Sequence, residues 1–511
     1  TKHQTCPTYN LTLVKLSSHR LLFNRSLFFQ QIQQNFSKFL GLAFLSRPMV
    51  FILTVVVLQS ISFSNYALTT TTTNIIYGSA PYLTFDGGRT RVTNTEALLR
   101  ISLSDGRTFT PTTNDSSDNP IELPVEGQSF ADIGMLVPTD TNSIALSSLI
   151  GTPYNYWGDD DGDGEGVNGV TATGSLKLTI VDNDNNSVAR NEVPTICKAP
   201  YKLTLSNDEG TLKTRYGVPN ESRFTEGNAT YYINPKAAPV ICFAKPSLHN
   251  VSHNTPGPVN IWNLDKGFLI QSVTPSSYGS NFPTTGANKL YFDLIIGGSN
   301  AQALSWAPVS HGGITATMTY SASNEVRVTL TGPAVTDPNQ WESENPDRID
   351  RLSLPQVFEL VGRDSRGNAV VKYGFELKQW FANRGDYTSN LSSLSSWCNK
   401  IGGYRVPNVK DLTNAFCRGN NTEDACNDLV EATPSSPDVF FSRYIGAGFF
   451  TEWGSMLYYL DTNFYFVSYW ASDKTNNNQY SFYVHSDWGT MYSYPTIAVE
   501  NTKLFGVCVY P

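Results

Sequence analysis

Six cysteines and one acidic loop are the residues whose types and spacing could do chemistry in this 511-residue sequence. Cys197, Cys242, Cys398, Cys417, Cys426 and Cys508 follow a solitary Cys6 near the start. None forms a Cys-x-x-Cys pair and no histidine stands at ligand spacing from a cysteine, so the pattern argues for disulfides over zinc. Six cysteines permit fifteen pairings. Proximity along the chain favours Cys197–Cys242, Cys417–Cys426 and Cys398–Cys508, with the connectivity otherwise open. The last pair would close a loop of about 110 residues, a constraint on the order of 4–5 kcal/mol.

The acidic loop is Asp159-Asp160-Asp161-Gly162-Asp163-Gly164-Glu165. Asp159, Asp161, Asp163 and Glu165, with Gly164, reproduce the first half of a Ca²⁺ loop, where alternate carboxylates converge and a glycine allows the sharp turn. Val170 occupies the twelfth position, where a bidentate Glu would be wanted. Calcium binding therefore stands beside a simpler reading, a solvated and self-repelling acidic turn. No other cofactor is expected.

Catalytic and nucleic-acid functions find little support. A net charge of −8 with 16% charged residues and no basic stripe excludes a strong nucleic-acid footprint. There is no Gly-x-Ser-x-Gly elbow and no His-Glu-x-x-His pair. His249 and His253 are four apart, but Pro246 and Pro256 flank them and argue against a two-ligand helix face. His485 lies in the alternating run Phe482-Tyr483-Val484-His485 and reads as a surface or satisfied residue. Paired carboxylates for glycoside hydrolysis depend on a three-dimensional separation, and no spacing argues for them. The expectation is a non-enzyme.

The elements that must position these residues are mainly strands. Ala97–Leu103 and Ser175–Val181 alternate apolar with polar residues, and Tyr201–Leu205, Thr230–Ile233 and Leu290–Ile296 read as further strands. Ile314–Tyr320 and Val326–Leu330 form a hairpin across Ser323-Asn324, and Val357–Val361 and Ala369–Phe375 flank the turn Asp364–Asn368. After Pro407, the spacing of Val409, Leu412, Ala415 and Phe416 predicts a short amphipathic helix. Near the start, Met49–Leu58 is too short to span a bilayer of ~30 Å but fits the apolar core of a secretory signal, with Ser62, Ser64 and Ala67 near its end. The alternative is an N-terminal anchor over 39–63. The domain reading is an upstream leader over 1–48, a signal peptide over 49–67, an N-terminal β domain over 68–190, and a β domain with a local disulfide over 191–300. A β-rich continuation over 301–375 and a disulfide-closed α+β module over 376–511 complete it.

Several blocks resemble a known family. Cys242-Phe243-Ala244-Lys245-Pro246, Gly257-Pro258-Val259-Asn260-Ile261-Trp262, Asn281-Phe282-Pro283-Thr284-Thr285-Gly286-Ala287 and Leu290-Tyr291-Phe292-Asp293 resemble the signature blocks of the enterobacterial adhesion-domain family. That family occurs in invasin- and intimin-like surface proteins. Lys372–Phe381, Gly403–Pro407 and Ile445–Gly454 extend the resemblance towards the C-terminus. It implies Ig-like β-sandwich domains followed by a C-terminal, C-type-lectin-like α+β domain, in which a disulfide ties the first helix to the final strand. Cys398 and Cys508 match that role. Neither a long membrane β-barrel nor an array of Ig-like repeats is seen, which raises export through a separate outer-membrane translocator, or as a soluble passenger, as the alternative route.

The resulting expectation is an exported bacterial adhesin, secreted or held at the cell surface, that binds a host-cell or bacterial surface protein or glycan. The sequence lacks the Glu-Pro-Asn, Gln-Pro-Asp and Trp-Asn-Asp triplets of calcium-dependent sugar binding, so contact would fall to aromatic and polar side chains. Trp453, Tyr458, Trp470, Trp488 and Tyr492 are the expected partner-binding residues, with Tyr459, Tyr465 and Tyr494 as further candidates. Trp488, in the turn Ser486–Thr490, is expected to be the most exposed.

Overall fold

Alternation along Ser175–Val181 turns Leu176, Leu178 and Ile180 inward and leaves Lys177 and Thr179 in water, the pattern of a strand with one face on a core. The computed structural model describes residues 77–162, 169–248, 256–417, 426 and 429–511. The leader and signal readings, Cys6, Asp163, Glu165, His249 and His253 lie outside them. The described chain is mainly β. In its N-terminal part a five-stranded sheet runs in the order Ile121–Glu122, Gly227–Asn234, Tyr201–Asn207, Ser175–Val181, Ser143–Ala145. A three-stranded sheet of Glu221–Phe224, Gly210–Thr214 and Val170–Thr173 contributes to the same core. Ala97–Leu103 departs from expectation: Asn94 caps a helical turn over Thr95–Leu98, and only Ile101–Ser102 is strand.

The second core begins at Ile241 and includes Val509, and it is shared by three sheets. Seven strands, from Trp262–Asn263 to Val309–His311, form one of them, around the hairpin Ile314–Ala322 and Glu325–Thr331. Gln356–Arg363 and Ala369–Leu377 pair in a second. The third has six strands: β1 (Thr285–Ala287), β2 (Gln379–Ser389), β3 (Ser468–Lys474), β4 (Tyr480–His485), β5 (Met491–Pro495) and β6 (Leu504–Tyr510), in the order β1-β2-β6-β3-β4-β5. Helix α1 (Leu391–Lys400) buries Leu394, Trp397 and Cys398. The helix expected after Pro407 is a single turn, α2 (Val409–Leu412), closed by a capping box between Asn408 and Asp411. Thr413 leaves it with an extended backbone, so Ala415 and Phe416 are not helical. A third short helix, α3, spans Phe449–Trp453.

The cores divide at the connector 235–239, not at the expected 190, 300 or 375. Strands Tyr201–Asn207 and Gly227–Asn234 belong to the first core, whereas residues 376–511 share the second with the sandwich before them. The reason is visible in β1, which comes from the sandwich region yet pairs in parallel with β2. Among the described residues three disulfides are present: Cys197–Cys242, Cys398–Cys508 and Cys417–Cys426. The first is not local to one domain, because it crosses from the first core to the second. Beside it Lys266 forms an ion pair with Asp184 at 2.8 Å, again across the division.

Candidate docking face of the C-terminal module

Hairpin β4–β5 closes through a tight turn in which His485 N–H donates to the Thr490 carbonyl and Gly489 N–H to that of His485. Its register pairs Tyr483 with Tyr492 and Ser481 with Tyr494. Period-two alternation therefore puts Tyr483, Tyr492 and Tyr494 on one face of the sheet. Tyr483 and Tyr492 stack at 5.3 Å with planes 15° apart. All three are half-buried, as is Tyr480 at the start of β4. From Thr475 to Val499 the only ionisable side chains other than tyrosine are His485 and Asp487, and Asp487 is fully buried. The exposed part of this stretch is thus largely phenol, hydroxyl and amide, with Pro495 and the exposed Ile497 as its apolar members.

The hairpin end is built on aromatic stacking. The imidazole of His485 lies flat on Trp488, 4.9 Å away and 16° from parallel, and meets Phe466 edge-on at 4.9 Å. Its Nδ1 accepts the Asp487 backbone N–H at 3.3 Å. Burial pushes the His485 pKa down, opposed by the charge of Asp487, and burial pushes the Asp487 carboxyl up. Trp488, expected to be the most exposed, is half-buried because His485 and Phe466 pack against it.

Two of the expected partner-binding residues are core instead. Trp453 and Trp470 are 0% exposed. Trp453 donates its indole N–H to the Thr285 carbonyl at 3.1 Å, and Trp470 to that of Ser389 at 2.8 Å. An indole is large, so the core claims it wherever its one donor finds a partner. Tyr459 is also buried, its hydroxyl donating to the Trp453 carbonyl and accepting from Ser247 N–H. Tyr458 is half-buried and Tyr465 exposed. Tyr492 lies on the face just described, and Tyr483, which the sequence reading passed over, joins it there, whereas Tyr480 alternates to the other face with Phe482. The alternation of Phe482–His485 was the available signal for Tyr483.

Glu452 was missed altogether. It is fully buried in α3, and its carboxylate accepts from the backbone N–H and hydroxyl of Thr284, the same two groups of Thr285, and Gly446 N–H, at 2.6–3.2 Å. Burial pushes its pKa up and these donors pull it down, with burial the larger effect. Because Thr285 begins β1, this carboxylate fastens the C-terminal module to the sandwich region. Arg443 is buried nearby, donating to the Thr451, Glu452 and Ser247 carbonyls and lying over the Trp262 ring at 4.6 Å.

At the acidic loop, Asp161 accepts Ser79 N–H at 2.6 Å, while Asp160 accepts the Tyr82 hydroxyl at 3.1 Å and pairs with Arg91. The other half of the expected Ca²⁺ set, Asp163 and Glu165, lies outside the described residues. Among the described residues no three His, Cys, Asp or Glu side chains cluster as a metal site, and no helix is long and apolar enough to cross a membrane.

Solved structures similar to this chain include invasin and intimin. Invasin, titled a bacterial integrin-binding protein, matches at 12% identity over 67% of this chain and 51% of its own, with a TM-score of 0.31. The chain thus spans about half the length of that structure. A 282-residue C-terminal fragment of intimin, in complex with the intimin-binding domain of the translocated intimin receptor, matches at 11% identity over 67% of this chain and 86% of its own, with a TM-score of 0.27. An intimin mutant from EHEC O157:H7 matches at 13% identity over 46% and 93%, with a TM-score of 0.25. No protein-family model and no curated protein matches the chain.

Proposed function

We propose that this chain is a non-enzymatic adhesin, secreted or held at a bacterial surface, whose C-terminal module docks a protein on a host or bacterial cell. The observation that carries the reading is the tyrosine face of β4–β5. It combines half-buried Tyr483, Tyr492 and Tyr494 with the exposed Asn476, Asn477 and Asn478 of the preceding turn, and it presents almost no charge. Interface centres are depleted of charge, and tyrosine supplies large contact area at low entropy cost while small polar side chains adapt to the partner. A C-type-lectin-like character for 376–511 belongs to the same proposal. It is supported by Cys398–Cys508, which ties α1 to β6 with the two Cα atoms 5.5 Å apart.

The test is binding of the fluorescently labelled full chain to host epithelial and bacterial cells. A Tyr492→Ala/Tyr494→Ala double variant with an unchanged melting temperature is expected to lose about tenfold in affinity or more. Undiminished binding by a normally folded double variant would sink the reading.

A further inference from the structure

A cleft of about 110 Å³, sharing no residue with the tyrosine face, lies where sandwich loops meet the C-terminal module. Its apolar lining includes Phe381 of β2 and Val335, both buried. Its polar lining includes Asn288, Lys289, Asp461 and Asn463. Among the described residues, Lys289 and Asp461 form no ion pair although both line the cleft, and the Asn463 side chain makes no hydrogen bond. Asn288 uses only its Oδ1, which accepts Gly332 N–H at 3.2 Å. Four polar side chains therefore meet in one small concavity with donors and acceptors to spare.

The backbone supports a built site. Lys289 and Asn463 both occupy the left-handed region, with φ of 66° and 58°. Asparagine enters that region readily, but lysine seldom does. One ammonium and one carboxylate leave the lining neutral, so a charged ligand would be repelled by one of them. An ammonium and an amide donate, and a carboxylate accepts; neighbouring hydroxyls answer all three, since each both donates and accepts. The volume is far below the roughly 300–1,000 Å³ of pockets that enclose drug-sized molecules and below that of a whole pyranose, so the cleft can seat one edge of a single ring with the rest in solvent.

We propose that this cleft binds one neutral hexose unit, with Lys289 and Asn288 donating to hydroxyl oxygens whose protons are directed at Asp461. The site goes beyond the docking proposed for the tyrosine face. It is tested by saturation-transfer NMR on the full chain with D-glucose, D-galactose and D-mannose, and with glycine as a zwitterionic comparison. Transfer to the ring protons of at least one hexose, and none to glycine, is expected. Asp461→Ala should lower affinity about tenfold. Lys289→Gly should do the same while relieving the left-handed backbone, so a loss there does not reflect misfolding. The Tyr492→Ala/Tyr494→Ala variant should bind hexose normally, which separates this site from the docking face. Absence of transfer to all three hexoses, transfer to glycine instead, unchanged affinity in both cleft variants, or loss in the tyrosine variant would overturn the assignment.

Discussion

Glu452 shows what one side chain can decide. Its carboxylate satisfies the buried backbone N–H groups and hydroxyls of Thr284 and Thr285, far away in sequence, and the part-buried N–H of Gly446 nearby. Glu452→Ala would strand those donors, and an orphaned buried donor costs about 1–3 kcal/mol. A loss on the order of 3–5 kcal/mol in urea unfolding is expected; a loss under about 1 kcal/mol would mean that water replaces the carboxylate. His485 makes a second residue-scale prediction. Burial, opposed by Asp487, holds its pKa below the ordinary 6.5. The unfolded chain then takes up the proton first, so this contribution to stability is intact above 6.5 and is lost as pH falls through the folded value. Between about pH 7 and about pH 5 the melting temperature of the native protein should fall more than that of His485→Gln; parallel curves would show that His485 is not responsible. Glu452's surroundings were not legible in sequence, because all but one of the groups facing it, those of Thr284 and Thr285, lie 167 or 168 positions away.

At the scale of elements, most strands were legible, Ala97–Leu103 excepted, while of the helices only the single turn after Pro407 was. Ser175–Val181, the hairpin around Ser323-Asn324 and the pair flanking Asp364–Asn368 all carry a period-two pattern ending in turn residues, and each is a strand pair or strand in the fold. Helix α1 was hidden by its serines, which read as loop, although Leu391, Leu394, Trp397 and Cys398 recur at helical spacing behind the N-cap Asn390. This helix is what the Cys398–Cys508 bridge holds to β6. Both sulfurs are buried and the bridge closes a separation of 110 residues. Reducing it, or replacing both cysteines by alanine, should cost about 4–5 kcal/mol and lower the urea midpoint accordingly. An unchanged midpoint would show that packing alone fixes α1 against the sheet.

For the whole molecule, residues 376–511 share one core with the sandwich before them. Sequence punctuation marks turns, but a shared core leaves no mark in local composition, so the boundary read at 375 gave no sign of the core that continues across it. A fragment of 376–511 lacks β1 and every Thr284 and Thr285 donor to Glu452, whereas 240–511 keeps them. The longer fragment should show dispersed NMR amide signals and cooperative melting; the shorter should not. A cooperatively folded 376–511 would contradict the shared core. Conversely, cleavage of the exposed connector at Lys236 should leave the two products joined on a non-reducing gel through Cys197–Cys242 and apart on a reducing one.

That same bridge governs how the protein answers a pull. Tension applied between its two ends runs through sulfur at Cys197–Cys242 and bypasses the 45-residue span between them, about 150 Å of extensible chain. If the chain tethers a cell as proposed, a pull would be transmitted past Tyr201–Asn207 and Gly227–Asn234 without first unravelling them. The tether stays short under load for as long as its surroundings remain oxidising.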